Sequence, residues 1–189
     1  MKEINLKDKP SEWVLKQIKK NIFKRKNIYV LDFASGLGRH SIEMSKDGNF
    51  VTAIDKDQEK LNLYKHLKNI ETICFDLETN QVWPLKKGYY DLVIITNYLY
   101  RPRIREIGDL VNKGGYIIYE TFSEGNEKYG RPRSNKFLLK EKELIDTFQD
   151  KFEVISYFNG YIETTVKKVI QRCVFKKRRL NKNRLFKIH

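Results

Sequence analysis

Three aspartates close three apolar runs, and their spacing is the part of this 189-residue chain that could do chemistry. Asp32 ends IYVLDF (28–33) and is followed by the small-residue turn ASGLG and a helix-like segment. Small residues let a backbone approach a ligand closely, and the first amides of a helix are free to face it. Gly36-x-Gly38-x-x-Ser41 is close to the dinucleotide pattern G-x-G-x-x-G, with serine in the third place. Asp32 speaks against a pyrophosphate there. A carboxylate just ahead of the turn would repel phosphates and favour a cationic group. S-adenosylmethionine offers one, with an α-amino group, a sulfonium and no phosphates. Asp55 ends FVTAID (50–55), where a carboxylate can accept both hydroxyls of a ribose, which fits either cofactor. Asp76, inside CFDLE, could pair with the exocyclic amine of adenine, with Cys74, Phe75 and Leu77 as apolar walls.

Positioning these groups requires strands that end together. The apolar runs 28–33, 50–55, 71–77, 90–97 and 116–122 read as five strands. Between them, helices are expected from the turn after 33 through Lys46, from Asp57 to Lys68 and from Pro102 to Val111, and a loop over 78–89. Pro10 and Ser11 open a first helix carrying Val14, Leu15, Ile18 and Ile22 on one face. A further helix over 140–148 precedes strands at 152–158 and 166–175, joined by a loop at Gly160. Alternation of this kind implies an α/β fold with a mostly parallel sheet, helices on both faces and a last strand that runs antiparallel. Ligands in such a sheet sit at the carboxyl ends of the strands, near the switch in strand order. The whole reads as one domain over 1–175, with a helical cap at 1–26 and a basic tail at 176–189.

Composition narrows the class. Hydrophobic residues make up 40% and charged residues 33%, which excludes collagen-like, mucin-like and wholly disordered chains. No apolar run is long enough to span a bilayer, and MKEINLKDKP has no signal core, so a cytoplasmic protein is expected. Cys74 and Cys173 do not make a disulfide framework, and His40, His66 and His189 have no metal-ligand spacing. The net charge is +14, but 27 Lys, 19 Ile and 14 Asn against 2 Ala are the usage of an AT-rich genome. Half of that charge lies in KKRRLNKNRLFKIH, a solvated tail or one that binds RNA or another anion.

LDFASGLGRHS, VTAIDKD, CFDLE, YDLVIITNYLYRP and NKGGYIIYETF, in that order over roughly 28–122, resemble the class I S-adenosylmethionine-dependent methyltransferases. NYLYRP, YETFSEGNEKYGRP, FLLKEKEL and VIQR are similar to the small bacterial methyltransferases often labelled tellurite-resistance-type. The resemblance implies a Rossmann-like, seven-stranded sheet with its last strand antiparallel. It implies that Asp32 and the turn Ala34, Ser35, Gly36 and Gly38 hold the methionine portion of S-adenosylmethionine, Asp55 the ribose, and Asp76 with Leu77 the adenine, with Asn97 completing the set. Ala34 stands where many relatives have glycine. Lys56 stands where many have an apolar residue against adenine, a place its aliphatic stem could fill.

Methyl transfer from a sulfonium needs little activation of the electrophile, so the lack of a metal cluster or a histidine–carboxylate dyad does not exclude an enzyme. The acceptor is expected beside Asn97–Tyr100 and the segment after Glu120, with Tyr98, Tyr100, Arg101, Tyr129 and Arg131 binding it and the arginines suited to an anion. His40, Tyr98 and Glu120 are the candidates for a direct role in transfer. A small molecule is the expected acceptor. No [DN]PP[YFW] signature follows the fourth strand, which disfavours methylation of adenine amino groups. The basic tail keeps an RNA methyltransferase open, and a non-catalytic protein that only binds the cofactor remains the alternative from another class.

Overall fold

The computed structural model describes residues 9–21, 27–163 and 166–179. Strands β1 (Tyr29–Phe33), β2 (Phe50–Asp55), β3 (Ile70–Cys74), β4 (Tyr90–Thr96), β5 (Val111–Phe122), β6 (Phe152–Glu163) and β7 (Lys167–Lys177) form one seven-stranded sheet in the order β3-β2-β1-β4-β5-β7-β6. The pairs linking β3, β2, β1, β4 and β5 are parallel, and β7 runs antiparallel to both of its neighbours. The expected class is therefore observed. The order reverses at β1, which lies between β2 and β4, and this puts the switch point above Asp32 and Ala34.

Both faces of the sheet are covered, so its central strands are apolar throughout. Leu92, Val93, Ile94 and Ile95 of β4 are all fully buried. Alternate residues serve two cores. Leu31, Phe33, Val93, Ile95, Ile117 and Tyr119 pack on one side, and Val30, Val51, Ala53, Leu92, Ile94 and Ile118 on the other. Each such side chain contributes about 1.5–3 kcal/mol by leaving water. The second core is closed by α1 (Glu12–Asn21), whose Val14 and Ile18 lie on one face, and by α2 (Arg39–Lys46) through Met44. The Ser11 hydroxyl accepts the Val14 amide at 3.3 Å and starts α1. Asp57 likewise caps α3 (Gln58–Asn62) by accepting the Lys60 amide.

Several boundaries differ from the sequence reading. α3 stops at Asn62 rather than Lys68, although Tyr64 beyond it remains fully buried. The segment 101–110 is a 3-10 helix (Arg101–Glu106) followed by a single turn α4 (Ile107–Leu110). β5 begins at Val111, because this buried residue pairs with Tyr90 before the chain bulges toward Tyr116. Gly160 lies inside β6 opposite Ile170 rather than in a loop. The last helix among the described residues is α5 (Glu143–Phe148). β7 extends to Lys177, whose ammonium donates to the carbonyls of Gly108 and Val111, so the first two lysines of the basic run belong to the sheet. The remainder of that tail from 180, and residues 1–8 and 22–26 of the expected cap, lie outside the described residues. Among the described residues no helix is long and apolar enough to cross a membrane.

Candidate functional site

The turn after β1 is built from backbone conformations that side chains resist. Ala34, Gly36 and Gly38 all have positive φ, at 57°, 54° and 70°. The two glycines are required for different reasons. A Cβ on Gly38 would stand 2.5 Å from the Tyr64 ring, so this glycine makes room for packing. A Cβ on Gly36 would meet nothing within 4 Å, so its backbone borders open space. Tyr64 braces the turn from below. Its hydroxyl lies 2.9 Å from Ser35 Oγ and donates to the Gly36 carbonyl at 3.3 Å. Asn97, at the end of neighbouring β4, also has positive φ (55°), and its amide donates to the Glu120 carbonyl at 2.9 Å. Strain of this kind at two adjacent strand ends is characteristic of ligand-binding rims.

The two aspartates flanking the turn do different work. Asp55 is half-buried; its Oδ2 accepts the Gly36 amide at 2.8 Å and its Oδ1 accepts the Asp57 amide at 3.0 Å. Asp32 is buried, and its Oδ2 accepts both the amide and the hydroxyl of Ser41, at 3.0 and 2.7 Å. Asp32 thus fastens the turn to the start of α2. Burial drives its carboxyl up to about 6, against the opposing pull of Ser41 and Arg39. Asp55 adds a repulsion that pushes the same way as burial.

A cavity of about 120 Å³ opens at this rim. Ala34 and Asp55 border it on one side, Asp76 and Leu77 on another, and Lys56 and Tyr98 contribute walls. Six of the expected cofactor and acceptor positions therefore share one space. Phe75 also lines it, whereas Cys74 is exposed and turns its thiol to the Lys56 carbonyl. The Tyr98 hydroxyl is buried without a hydrogen-bond partner, although its ring packs edge-on against Phe33. A buried, unsatisfied hydroxyl is costly unless something else completes it. Open space beside Gly36, a carboxylate at either end and an orphaned hydroxyl together fit a nucleoside with a cationic end. Tyr98, expected on the acceptor, borders this cavity together with the expected cofactor residues. Glu78 also lines the cavity, and nothing in its spacing singled it out. A larger cavity of about 400 Å³, lined by Tyr29, Phe50, Tyr89 and Tyr90, lies at the amino ends of the strands, away from the rim.

The other acceptor candidates scatter. Arg101 spends all five of its N–H groups inside the protein, on both carboxylate oxygens of Glu143 and on the carbonyls of Asn135, Lys136 and Leu138. It is a strut that holds 135–138 and α5 against the 3-10 helix, with no donor left for an anion. Arg103 is likewise bound to Glu106, Thr79 and Gln81 and lies over the Trp83 ring. Tyr129 and Arg131 are exposed, and Tyr129 packs against Tyr161 of β6. Tyr100 is half-buried just before the 3-10 helix. His40 is buried, and its Nε2 accepts the Ser11 amide at 3.1 Å. Burial, reinforced by Arg39, pulls this imidazole down to about 3. It is a neutral anchor for α1 and has no free lone pair on Nε2 for a proton. Glu120 is buried and paired with Arg172 at 2.6 Å. Arg39, which the spacing did not mark, donates to Thr96 Oγ1 at 3.2 Å and ties α2 to the end of β4. Among the described residues no group of His, Cys, Asp and Glu could hold a metal ion.

Comparison with known proteins agrees with this geometry. Residues 30–115 match a family described as a methyltransferase domain. Phosphoethanolamine N-methyltransferase 3 of Arabidopsis thaliana is 27% identical over 149 residues, covering 66% of the chain. The chain spans 30% of that relative's own length. TehB from Haemophilus influenzae superposes with a TM-score of 0.68 at 23% identity, over 87% of this chain and 61% of that one. The N-methyltransferase NodS from Bradyrhizobium japonicum, in complex with S-adenosyl-L-homocysteine, superposes with a TM-score of 0.66 at 11% identity, over 91% and 90%. Strand order, glycine turn and the match over residues 30–115 agree with one another, and the chain is similar to S-adenosylmethionine-dependent methyltransferases in fold and in this methyltransferase-domain segment.

Proposed function

We propose that the protein binds S-adenosylmethionine along the rim of β1, β2 and β4 and transfers its methyl group to a small-molecule acceptor. The observation that carries this reading is the cavity between Asp55 and Asp76, with Gly36 open beside it and the Tyr98 hydroxyl unsatisfied within it. When bound, the cofactor supplies a methyl carbon on a sulfonium, whose leaving group is a neutral thioether. Asp55 would receive the ribose hydroxyls, already oriented by the Gly36 and Asp57 amides. Asp76 and Leu77 would hold the adenine, with the Lys56 stem and the Tyr98 ring as walls. The turn from Ala34 to Gly38, with Asn97 opposite, would carry the methionine portion. Asp32 acts through Ser41 to keep that turn in place. The residues contribute by alignment, which is enough for an in-line displacement.

A small acceptor is favoured by the relatives, since both the phosphoethanolamine enzyme and NodS are N-methyltransferases by name. The test is calorimetry with S-adenosylhomocysteine, followed by incubation with methyl-labelled cofactor and a panel of amines, thiols, phenols and RNA. Binding lost in Asp55→Ala, with label carried to a small molecule, is the expected result. Label carried only to RNA would overturn the acceptor class. Tight binding with transfer to nothing would favour a silent cofactor-binding protein.

A further inference from the structure

Of the arginine–glutamate pairs, Arg101–Glu143 and Arg172–Glu120 are finished very differently. In the Arg101–Glu143 pair both carboxylate oxygens and all five guanidinium N–H groups are engaged. In the Arg172–Glu120 pair only Arg172 Nε and Glu120 Oε2 meet, at 2.6 Å. Among the described residues, neither terminal nitrogen of Arg172 nor Oε1 of Glu120 makes a hydrogen bond. Yet this is the more buried pair, with side chains 18% and 5% exposed against 34% and 21%. The spare oxygen of Glu120 and the spare nitrogens of Arg172 are not among the buried unpartnered atoms, so they face solvent, and a pair built this way leaves two open edges that a ligand can complete.

The location is specific. Asp32 pairs with Ile94, and Ile94 lies two residues before Thr96 on the same face of β4. Thr96 pairs with Glu120, and Glu120 with Arg172. Thr96, Glu120 and Arg172 therefore stand in a row across β4, β5 and β7 on the face covered by α1, two residues nearer the rim than the Ile94 that pairs with Asp32. Trp13 of α1 and the Arg172 guanidinium lie against one another, 5.2 Å from ring centroid to Cζ. The Asn97 amide on the Glu120 carbonyl ties the corner to the end of β4.

We propose that this corner is the acceptor subsite and that it takes a small zwitterion. The inference rests on the cofactor lying along the same rim. The pair is neutral as a unit, so a bare anion drawn to Arg172 meets Glu120, and a bare cation drawn to Glu120 meets Arg172. A molecule carrying both charges a few bonds apart satisfies both edges at once. Its anionic group receives the Arg172 terminal N–H groups, and its ammonium donates to Glu120 Oε1. The Trp13 indole lies beside the guanidinium and covers one side of the corner.

Binding of S-adenosylhomocysteine and of small probes to the full chain, measured separately by calorimetry and by NMR titration, tests this. The probes are glycine, β-alanine and taurine as zwitterions, acetate as the anion alone and methylammonium as the cation alone, each added to protein saturated with S-adenosylhomocysteine. At least one zwitterion should bind saturably and at least about tenfold more tightly than acetate or methylammonium, the scale of one charge-assisted contact. Glu120→Gln, which keeps the shape, and Arg172→Lys, which keeps the charge but loses the fork, should each weaken the zwitterion by about tenfold or more. Both should leave S-adenosylhomocysteine affinity within about threefold of the original. Zwitterions binding no better than acetate would overturn the subsite while the cofactor reading stands. So would variants that lose thermal stability but keep zwitterion affinity, since the pair would then be purely structural. Failure of S-adenosylhomocysteine itself to bind would remove the cofactor reading and this inference with it.

Discussion

The Asp55 carboxylate accepts the Gly36 amide at 2.8 Å, and so joins the end of β2 to the turn that follows β1. A strand-end aspartate that only closed its own turn would need no more than the Asp57 amide it also receives. The second contact holds the carboxylate beside the open face of Gly36. That is where a ribose would have to lie for the rest of a nucleoside to reach Asp76 and Leu77. Asp55→Asn keeps the size and loses the charge. It should weaken S-adenosylhomocysteine by about 10- to 100-fold, the worth of one charge-assisted hydrogen bond. Calorimetry with unchanged affinity would take Asp55 out of the site.

The glycines on either side of Leu37 allow a paired experiment. Gly38→Ala drives a methyl into the Tyr64 ring and should destabilise the fold by about 1–3 kcal/mol, added to the backbone penalty of its positive φ. Gly36→Ala meets no atom and should cost only about 1–2 kcal/mol for its left-handed backbone. Its larger effect should be on the cofactor, because the methyl enters the space a ligand would use. Thermal unfolding and calorimetry on both variants separate the effects. Equal loss of stability with cofactor affinity retained in Gly36→Ala would mean that the space above Gly36 is not used.

Arg101 should behave as a fold residue. Removing it strands the half-buried Glu143 carboxylate and the three carbonyls of 135–138. Arg101→Ala should lower stability by roughly 2 kcal/mol or more, and Arg101→Lys should rescue little, because an ammonium cannot span five acceptors. Cofactor affinity at 25 °C should hold. Preserved melting behaviour with weakened binding of anionic acceptors would return Arg101 to the acceptor site.

The contrast between Arg101 and Arg172 marks how far the sequence could be read. The sheet was legible because buried strands must be apolar and β-branched, and β1, β2 and β4 are, from Tyr29, Phe50 and Tyr90 onward. The three aspartates were legible because each ends or follows such a run. What an arginine does depends instead on which carbonyls come near it. The partners of Arg101 lie 34 to 42 residues away, brought close only by the packing of α5. Glu120 was visible as a strand-end acid, but its partner Arg172 is 52 residues on and reaches it through antiparallel register. Tyr98 reads as an acceptor contact because it follows β4, and after the turn at Asn97 it also borders the cavity of Asp55 and Asp76. α3 ended early because Tyr64 and Leu67 need only to pack, and a few turns of irregular chain allow that as well as a helix.

Asp32 and His40 are the two buried titratable groups that brace the rim, and they oppose one another. Burial raises Asp32 from 3.8 to about 6, so the folded protein holds a proton there that the unfolded chain has lost. Taken alone, this makes stability greatest below about 4 and lets it fall as pH rises through 6. Burial lowers His40 from 6.5 to about 3, so the unfolded chain holds a proton that the folded protein lacks. Taken alone, this gives stability that is full above about 6.5 and falls as pH drops toward 3. Between about pH 4 and 6 each state therefore carries one proton on this pair, and the two slopes cancel. Single variants should expose them. Asp32→Asn leaves the histidine alone, and stability should climb with pH by up to about 1.4 kcal/mol per unit across that window. His40→Gln leaves the aspartate alone, and stability should fall with pH by a similar amount. Denaturant unfolding of both variants relative to the parent, at pH 4.5 and 5.5, is the measurement. Slopes of the same sign in the two variants would mean that one of these groups is not buried as described. The His40→Gln variant also bears on α1, since it removes the imidazole Nε2 that accepts the Ser11 amide and so helps to seat the helix, with its Trp13, against Arg172.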